Sequence, residues 1–220
     1  MGNFLSGNRS LHCRLSCKSR NSIVTSQFPM SNTIRTFIAI ELPEKITYTI
    51  SKVQEEIKSY GLKIRWVRPE NIHLTLKFLG DIKATDTEKV AGAVSESVTG
   101  YSPISLMVKG IGVFPGIIRP RVIWLGVSNQ IDVLTTLQKT LDEKLKAMGF
   151  PKEKRPFKGH LTLGRIKSKI DPKTLHDVLK EFTQFESEPF FADRIILYKS
   201  DLKPKGAVYT KLIETYLTVS

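Results

Sequence analysis

The tetrapeptide His-Leu-Thr-Leu occurs twice, at His73–Leu76 and at His160–Leu163, in a chain with only four histidines. At this composition a chance second copy is on the order of a few in a thousand. An imidazole titrates near neutral pH, so two facing one cleft can do concerted acid–base chemistry, one accepting a proton while the other donates. Such a step needs neither a metal nor a covalent intermediate. If each copy lies in a strand, residues i and i+2 share a face. His73, Thr75 and Lys77 then face one way, and Ile72, Leu74, Leu76 and Phe78 the other, where four large apolar side chains must be core. The second copy sets His160 and Thr162 against Leu161 and Leu163, with Gly164 leaving room on the polar face. Arg165 falls on the core parity, so either the strand bends there or the side chain leaves at the sheet end. Thr75 and Thr162 offer hydroxyls for a phosphate oxygen, and Arg165 offers bidentate charge. The structural alternative, that each histidine merely caps an exposed strand face, is weakened by the matched pair.

These groups need a scaffold. Residues 34–41 are rich in β-branched and aromatic side chains and read as a strand ending at Pro43. Ile46, Ile50, Val53, Ile57 and Tyr60 recur at helical spacing, with Gly61 as the stop. A short strand at 64–67 leads into the first motif strand, 71–79, with Gly80-Asp81 as a turn and a second helix from about Thr85 to Val98. The second half repeats this order: strands at 104–113 and 121–127, and a helix with Ile131, Leu134, Leu137, Leu141, Leu145 and Met148 on one face. The basic loop 151–158 and the second motif strand, 159–166, follow. Asp171-Pro172 reads as an N-cap and first-turn pair for a fourth helix through Phe182, and residues 190–198 and 207–219 as closing strands. Several strands follow one another directly, which favours α+β with antiparallel pairing over a doubly wound parallel sheet.

With the elements in place, the pair of motifs and Arg165 after the second resemble the two-histidine (2H) phosphoesterase superfamily. Within it, Arg35-Thr-Phe-Ile-Ala-Ile40, Arg65-Trp-Val67, Asn71-Ile-His-Leu-Thr-Leu-Lys-Phe-Leu-Gly80 and Arg119-Pro-Arg-Val-Ile-Trp124 are similar to the RNA 2′,3′-cyclic phosphodiesterases, also called 2′-5′ RNA ligases. The resemblance covers about residues 33–219. It implies a bilobal fold: two pseudo-symmetric lobes of antiparallel sheet, helices outside, and a cleft between them to which each lobe brings one His-x-Thr. The implied reaction opens a terminal 2′,3′-cyclic phosphate on RNA with water, leaving a 2′-phosphate. By analogy His73 is the proton donor and His160 the proton acceptor, with Thr75, Thr162 and Arg165 on the phosphate. Reversal with a 5′-hydroxyl would make a 2′-5′ linkage without ATP, consistent with the lack of a Gly-x-x-x-x-Gly-Lys-Ser/Thr loop. No cofactor is implied.

Around the motifs, Arg155 and Lys158 in the basic loop, and Arg119 and Arg121 beside the Gly/Pro-rich loop, are candidate RNA contacts, with a solvated basic surface as the alternative. Phe157 is a freer base-stacking candidate than Phe78, which alternation assigns to the core. His12 and His176 read as surface residues. The balance of 34 Lys+Arg against 21 Asp+Glu attracts polyanions such as RNA. Residues 1–30 hold Arg9, Arg14, Lys18 and Arg20, no acid and no periodicity. They are expected to be a basic, disordered extension, open to three readings: a transit-like peptide, a start codon placed upstream of Met30, or a plain tail. The functional domain is then 31–220. Both cysteines, Cys13 and Cys17, fall in the extension, which leaves the domain no disulfide or Cys-zinc framework and fits a reducing cytoplasm. No apolar run reaches membrane-span length, and neither a membrane nor an obligate protein partner is expected for what reads as a monomer. Two other functions compete: a 2H phosphodiesterase acting on a small cyclic-phosphate nucleotide, and a non-catalytic RNA-binding module. A metallohydrolase is weaker, because neither motif carries an acidic ligand.

Overall fold

A computed structural model describes residues 33–204 and 206–218. The extension expected over 1–30, with His12, Cys13 and Cys17, lies outside the described residues. The strands are β1 (Thr33–Glu41), β2 (Ile64–Trp66), β3 (His73–Lys83), β4 (Ile104–Phe114), β5 (Val122–Asn129), β6 (His160–Ile166), β7 (Phe190–Ala192), β8 (Arg194–Lys203) and β9 (Gly206–Tyr216). The helices are α1 (Glu44–Ser59), α2 (Thr87–Val98), α3 (Ile131–Ala147) and α4 (Pro172–Glu181). As expected, Asp171 caps α4: its carboxylate accepts from the Thr174 N–H at 2.8 Å and from its hydroxyl at 2.7 Å.

The strands form one antiparallel sheet in the order β7-β4-β5-β6-β3-β1-β8-β9, with β2 added to β6. This order reads as two mirrored halves. α1 connects β1 to β3 as α3 connects β5 to β6, and α2 follows β3 as α4 follows β6. The inner strands of the halves, β3 and β6, meet through one register pair, Leu74 with Leu161, and β2 adds three pairs farther along β6. Because β3 and β6 run antiparallel, that pair places the two tetrapeptides about a local two-fold axis.

One sheet face supplies the main core. Ile38, Ile40, Leu74, Leu76, Leu106, Val108, Ile123, Leu125, Leu161 and Leu163 are buried against the apolar stripes of the helices. Burial of each such side chain contributes about 1.5–3 kcal/mol, which fixes which face of each motif strand looks inward. The opposite face carries a smaller aromatic cluster of Phe37, Ala39, Ile196 and Tyr198, with Tyr209 packed against it.

Three expectations based on strict alternation fail here, for one reason. The β1–β3 ladder pairs Ala39 with Thr75 but Ile38 with Lys77, so Leu76 is an inserted bulge residue. The β5–β6 ladder pairs Trp124 with Thr162 but Ile123 with Gly164, so Leu163 is inserted at the equivalent place. Past each bulge the faces exchange. Lys77 is buried rather than beside His73, and Phe78 is exposed rather than core. Gly164 turns inward rather than opening the polar face; a Cβ there would come within 2.4 Å of Ile64 Cγ2. Arg165 is thereby swung off the core parity onto the histidine face. The expected Gly80-Asp81 turn is also absent: β3 continues to Lys83 through a second irregularity, which Gly80 accommodates at φ 74°.

A buried glutamine reaches each bulge. Gln54 of α1 donates from Nε2 to the carbonyls of Val67 and Leu163, both at 2.9 Å. Gln138 of α3 donates to the Leu76 carbonyl at 3.4 Å. Each helix thus reaches the motif strand of the opposite half.

Candidate active site

Each histidine is held the same way. His73 Nδ1–H donates to the Asn71 carbonyl and His160 Nδ1–H to the Lys158 carbonyl, both at 2.8 Å and both two residues back. A carbonyl can only accept, so Nδ1 carries the proton and Nε2 is left for chemistry. The Leu74–Leu161 pair sets His73 opposite Thr162 and Thr75 opposite His160. The two histidines are therefore diagonal neighbours across the seam between β3 and β6, close enough for His160 to act on the charge of His73.

The two imidazoles lie on different aromatic floors. His73 stacks on Phe37 at 4.6 Å between centroids and meets Tyr209 edge-on at 5.3 Å. His160 meets Phe114 edge-on at 5.0 Å and Trp124 at 6.3 Å. Trp124 lies flat over Gly112, where a Cβ would come within 2.3 Å of its ring. Burial disfavours the charged imidazolium, and this lowers the pKa of His73 from 6.5 to about 4, helped by nearby His160 and opposed by the Asn71 hydrogen bond. Between these two values the unfolded chain binds a proton that the folded protein refuses, so stability falls as pH falls from 6.5 towards 4. The loss is bounded at about 3 kcal/mol. Urea titrations at stepped pH should show this slope in the parent protein and a shallower one in His73→Gln; equal slopes would place the pH dependence elsewhere.

A cavity of about 420 Å³ opens beside His73, lined by Thr75, Thr162, Arg165, Phe78, Tyr209 and three further arginines, Arg35, Arg65 and Arg68. Four of the expected residues, His73, Thr75, Thr162 and Arg165, come together on its wall, while His160 stands beside it on the same sheet face. Tyr209 is raised above its ordinary pKa, chiefly by burial, and keeps its hydroxyl proton available for donation. Asn71 joins the elements: its carbonyl holds His73, and its Nδ2 donates to Ala207 of β9 at 3.0 Å.

The other expected contacts fall elsewhere. Lys158 sits on the His160 side, its Nζ 4.4 Å from the Trp124 ring centroid. Arg119, Arg121 and Arg155 are exposed and outside the cavity. Phe157 is partly buried against the main core, so it is less free to stack than its sequence position promised. His176 is exposed, as expected. Arg68 and Tyr209 carried no legible signal; Arg35, Arg65 and Asn71 lay in segments that carried the family resemblance, but no local spacing gave them a role, because the fold rather than spacing brings all five to the cavity. Among the described residues, no group of three or more His, Cys, Asp or Glu side chains is placed to hold a metal ion, and no helix is long and apolar enough to cross a membrane.

Known proteins resemble this chain in sequence and in fold. The model of a family described as LigT-like phosphoesterase matches twice in tandem, over residues 40–124 and 125–209, which parallels the mirrored halves of the sheet. A Methanocaldococcus jannaschii protein named RNA 2′,3′-cyclic phosphodiesterase is 39% identical over 181 residues, covering 82% of this chain and 99% of its own. One of the same name from Methanothermobacter thermautotrophicus is 34% identical over 179 residues, covering 81% and 96%. Among solved structures, E. coli LigT complexed with 3′-AMP superposes with a TM-score of 0.66 at 25% identity, covering 86% of this chain and 99% of that one. A Thermus thermophilus protein superposes at 0.69, also at 25% identity, covering 84% and 98%.

Proposed function

The chain belongs to the LigT-like phosphoesterase family, and from that premise we propose that it opens RNA 2′,3′-cyclic phosphate ends to 2′-phosphates, using His73 and His160 as an acid–base pair. The observation that supports this reading is the symmetry of the two imidazoles: matched strands meeting at Leu74 and Leu161, and matched Nδ1 tethers that leave the Nε2 of each ring for chemistry. In the proposed reaction His160 Nε2 takes a proton from water as the water oxygen attacks phosphorus. The bond from phosphorus to the 3′ oxygen breaks, and that oxygen takes a proton from His73 Nε2. Thr75, Thr162 and Arg165 hold the non-bridging oxygens, where charge builds as the attacking oxygen bonds. His73 is neutral in the substrate-free protein well below pH 7. Its donor role therefore draws on the anionic substrate, whose charge favours the imidazolium once bound.

Exposed Phe78 stands at the position in β3 that Arg165 occupies in β6, two residues past each inserted leucine. It offers its face to the terminal base. Arg119, Arg121, Arg155 and Lys158, exposed outside the cavity, would carry the backbone of a longer RNA beyond its terminal nucleotide. With a 5′-hydroxyl in place of water as the attacking group, the same ring opening forms a 2′-5′ linkage and frees the 3′-hydroxyl. We place the activity in residues 31–220, as a monomer in a reducing cytoplasm. The test is incubation with a short RNA ending in a 2′,3′-cyclic phosphate, with and without EDTA. Ring opening at equal rates is expected, because two histidines and two threonines without a carboxylate are a poor ligand set; chelator-sensitive opening would contradict the two-histidine mechanism.

A further inference from the structure

We propose that the cavity beside His73 binds a second phosphate, the one on the 5′ side of the terminal nucleotide, through Arg65 and Arg35. Resting on the hydrolase reading above, this narrows the substrate class to ends that carry a 5′ phosphate, in preference to a bare nucleoside 2′,3′-cyclic phosphate. Arg65 of β2 and Arg165 of β6 are direct register partners, and both line the cavity. Directly opposed residues of an antiparallel pair have Cβ atoms about 5 Å apart, and like charges placed so are destabilising by themselves. Among the described residues, no acidic side chain lines the cavity to relieve them. This differs from the treatment of arginine elsewhere in the sheet, where Arg194 is matched by Glu41 and Glu214. Arg35 of β1 joins the pair on the cavity wall, and the fields of Arg35 and Arg165 both reach the Tyr209 hydroxyl.

A single phosphodiester carries one negative charge, which the two threonines, Arg165 and a protonated histidine already satisfy. Two more guanidiniums exceed what one phosphate needs. Arginine also suits this task because its planar fork meets phosphate oxygens two at a time.

The experiment compares kcat/KM for cytidine 2′,3′-cyclic phosphate, its 5′-phosphorylated form, and a dinucleotide ending in the same ring. The 5′ phosphate should raise kcat/KM by about tenfold to a hundredfold, the range of one well-made arginine–phosphate contact. Arg65→Ala should remove most of that ratio, Arg35→Ala part of it, and Arg65→Lys should restore it partially. Arg165→Ala should lower kcat/KM for all three substrates. Equal turnover with and without the 5′ phosphate would overturn the second site while leaving the hydrolase reading intact. An Arg65→Ala loss equal for all three would overturn it too, assigning Arg65 to the reacting phosphate. No opening of any of the three would bring down the hydrolase reading, and this proposal with it.

Discussion

Replacing either motif histidine by glutamine should lower kcat on a cyclic-phosphate RNA by about 10²–10⁴, the range for loss of one positioned acid or base. The two variants should fall alike, because the local two-fold axis gives each ring the same tether and neither can act for the other. The double variant should fall little further, since groups acting on one transition state do not add. RNA affinity should hold within a few-fold in each, because Thr75, Thr162 and Arg165 remain in place. His73→Gln is the more demanding test. Its ring is stacked on Phe37, so circular dichroism and thermal melting must show that the aromatic floor survives before a lost rate is assigned to chemistry. Near-normal turnover in either variant would remove the two-histidine mechanism and favour a module that binds RNA without cleaving it.

Asp142→Ala should cost about 3–5 kcal/mol of stability, the range for removing one partner of a buried ion pair. The Lys77 and Asp142 side chains are 5% and 6% exposed, and the Lys77 ammonium donates to the Asp142 carboxylate and, at 2.6 Å, to the Pro151 carbonyl. The other carboxylate oxygen accepts from the Glu153 N–H at 3.2 Å. Without Asp142 the ammonium keeps only a carbonyl in an apolar interior, and unfolding becomes its easiest route to water. The double variant Lys77→Met with Asp142→Leu removes both charges at similar volume and should recover most of the loss. Urea midpoints for the set decide the matter: a loss under about 1 kcal/mol in Asp142→Ala would mean that water already reaches the pair. Because this pair anchors the start of the loop leading into His160, Asp142→Ala should also lower turnover at temperatures where the protein remains folded.

The same pair shows where reading the chain by alternation stops. The core stripes of α1 and α3, the Asp171 cap and the motif strands all follow from local spacing, and so were legible. So was the pairing of His73 with Thr75 and His160 with Thr162, because no irregularity falls between those residues. Beyond each motif, parity is reset by the inserted Leu76 and Leu163, leucines like Leu74 and Leu161 two residues before them; the first bulge has no glycine or proline beside it, and Gly164 beside the second reads equally well as room on the polar face. Lys77 and Phe78 were therefore assigned to each other's faces, and Arg165 was left unplaced between two outcomes. The signal that was present is chemical: a lysine on a core face or a large aromatic facing solvent is costly enough to need a reason, and the bulge supplies it. Arg65 was beyond reach for another cause. Its place opposite Arg165 follows from β2 joining β6 across about a hundred residues, which no local pattern encodes. The continuous β3 through Gly80 illustrates a third limit: a Gly-Asp step marks a turn and a glycine-bearing bulge equally well.

The most direct test of the account is the identity of the phosphate left on an RNA after its 2′,3′-cyclic end has been opened in EDTA. A 2′-phosphate terminus from the parent protein, absent with the His73→Gln and His160→Gln variants, is the predicted result. A 3′-phosphate terminus would mean that the departing oxygen is the 2′ one and that the assignment of the leaving group is wrong. An untouched ring, with the RNA still bound, would contradict the hydrolase reading itself.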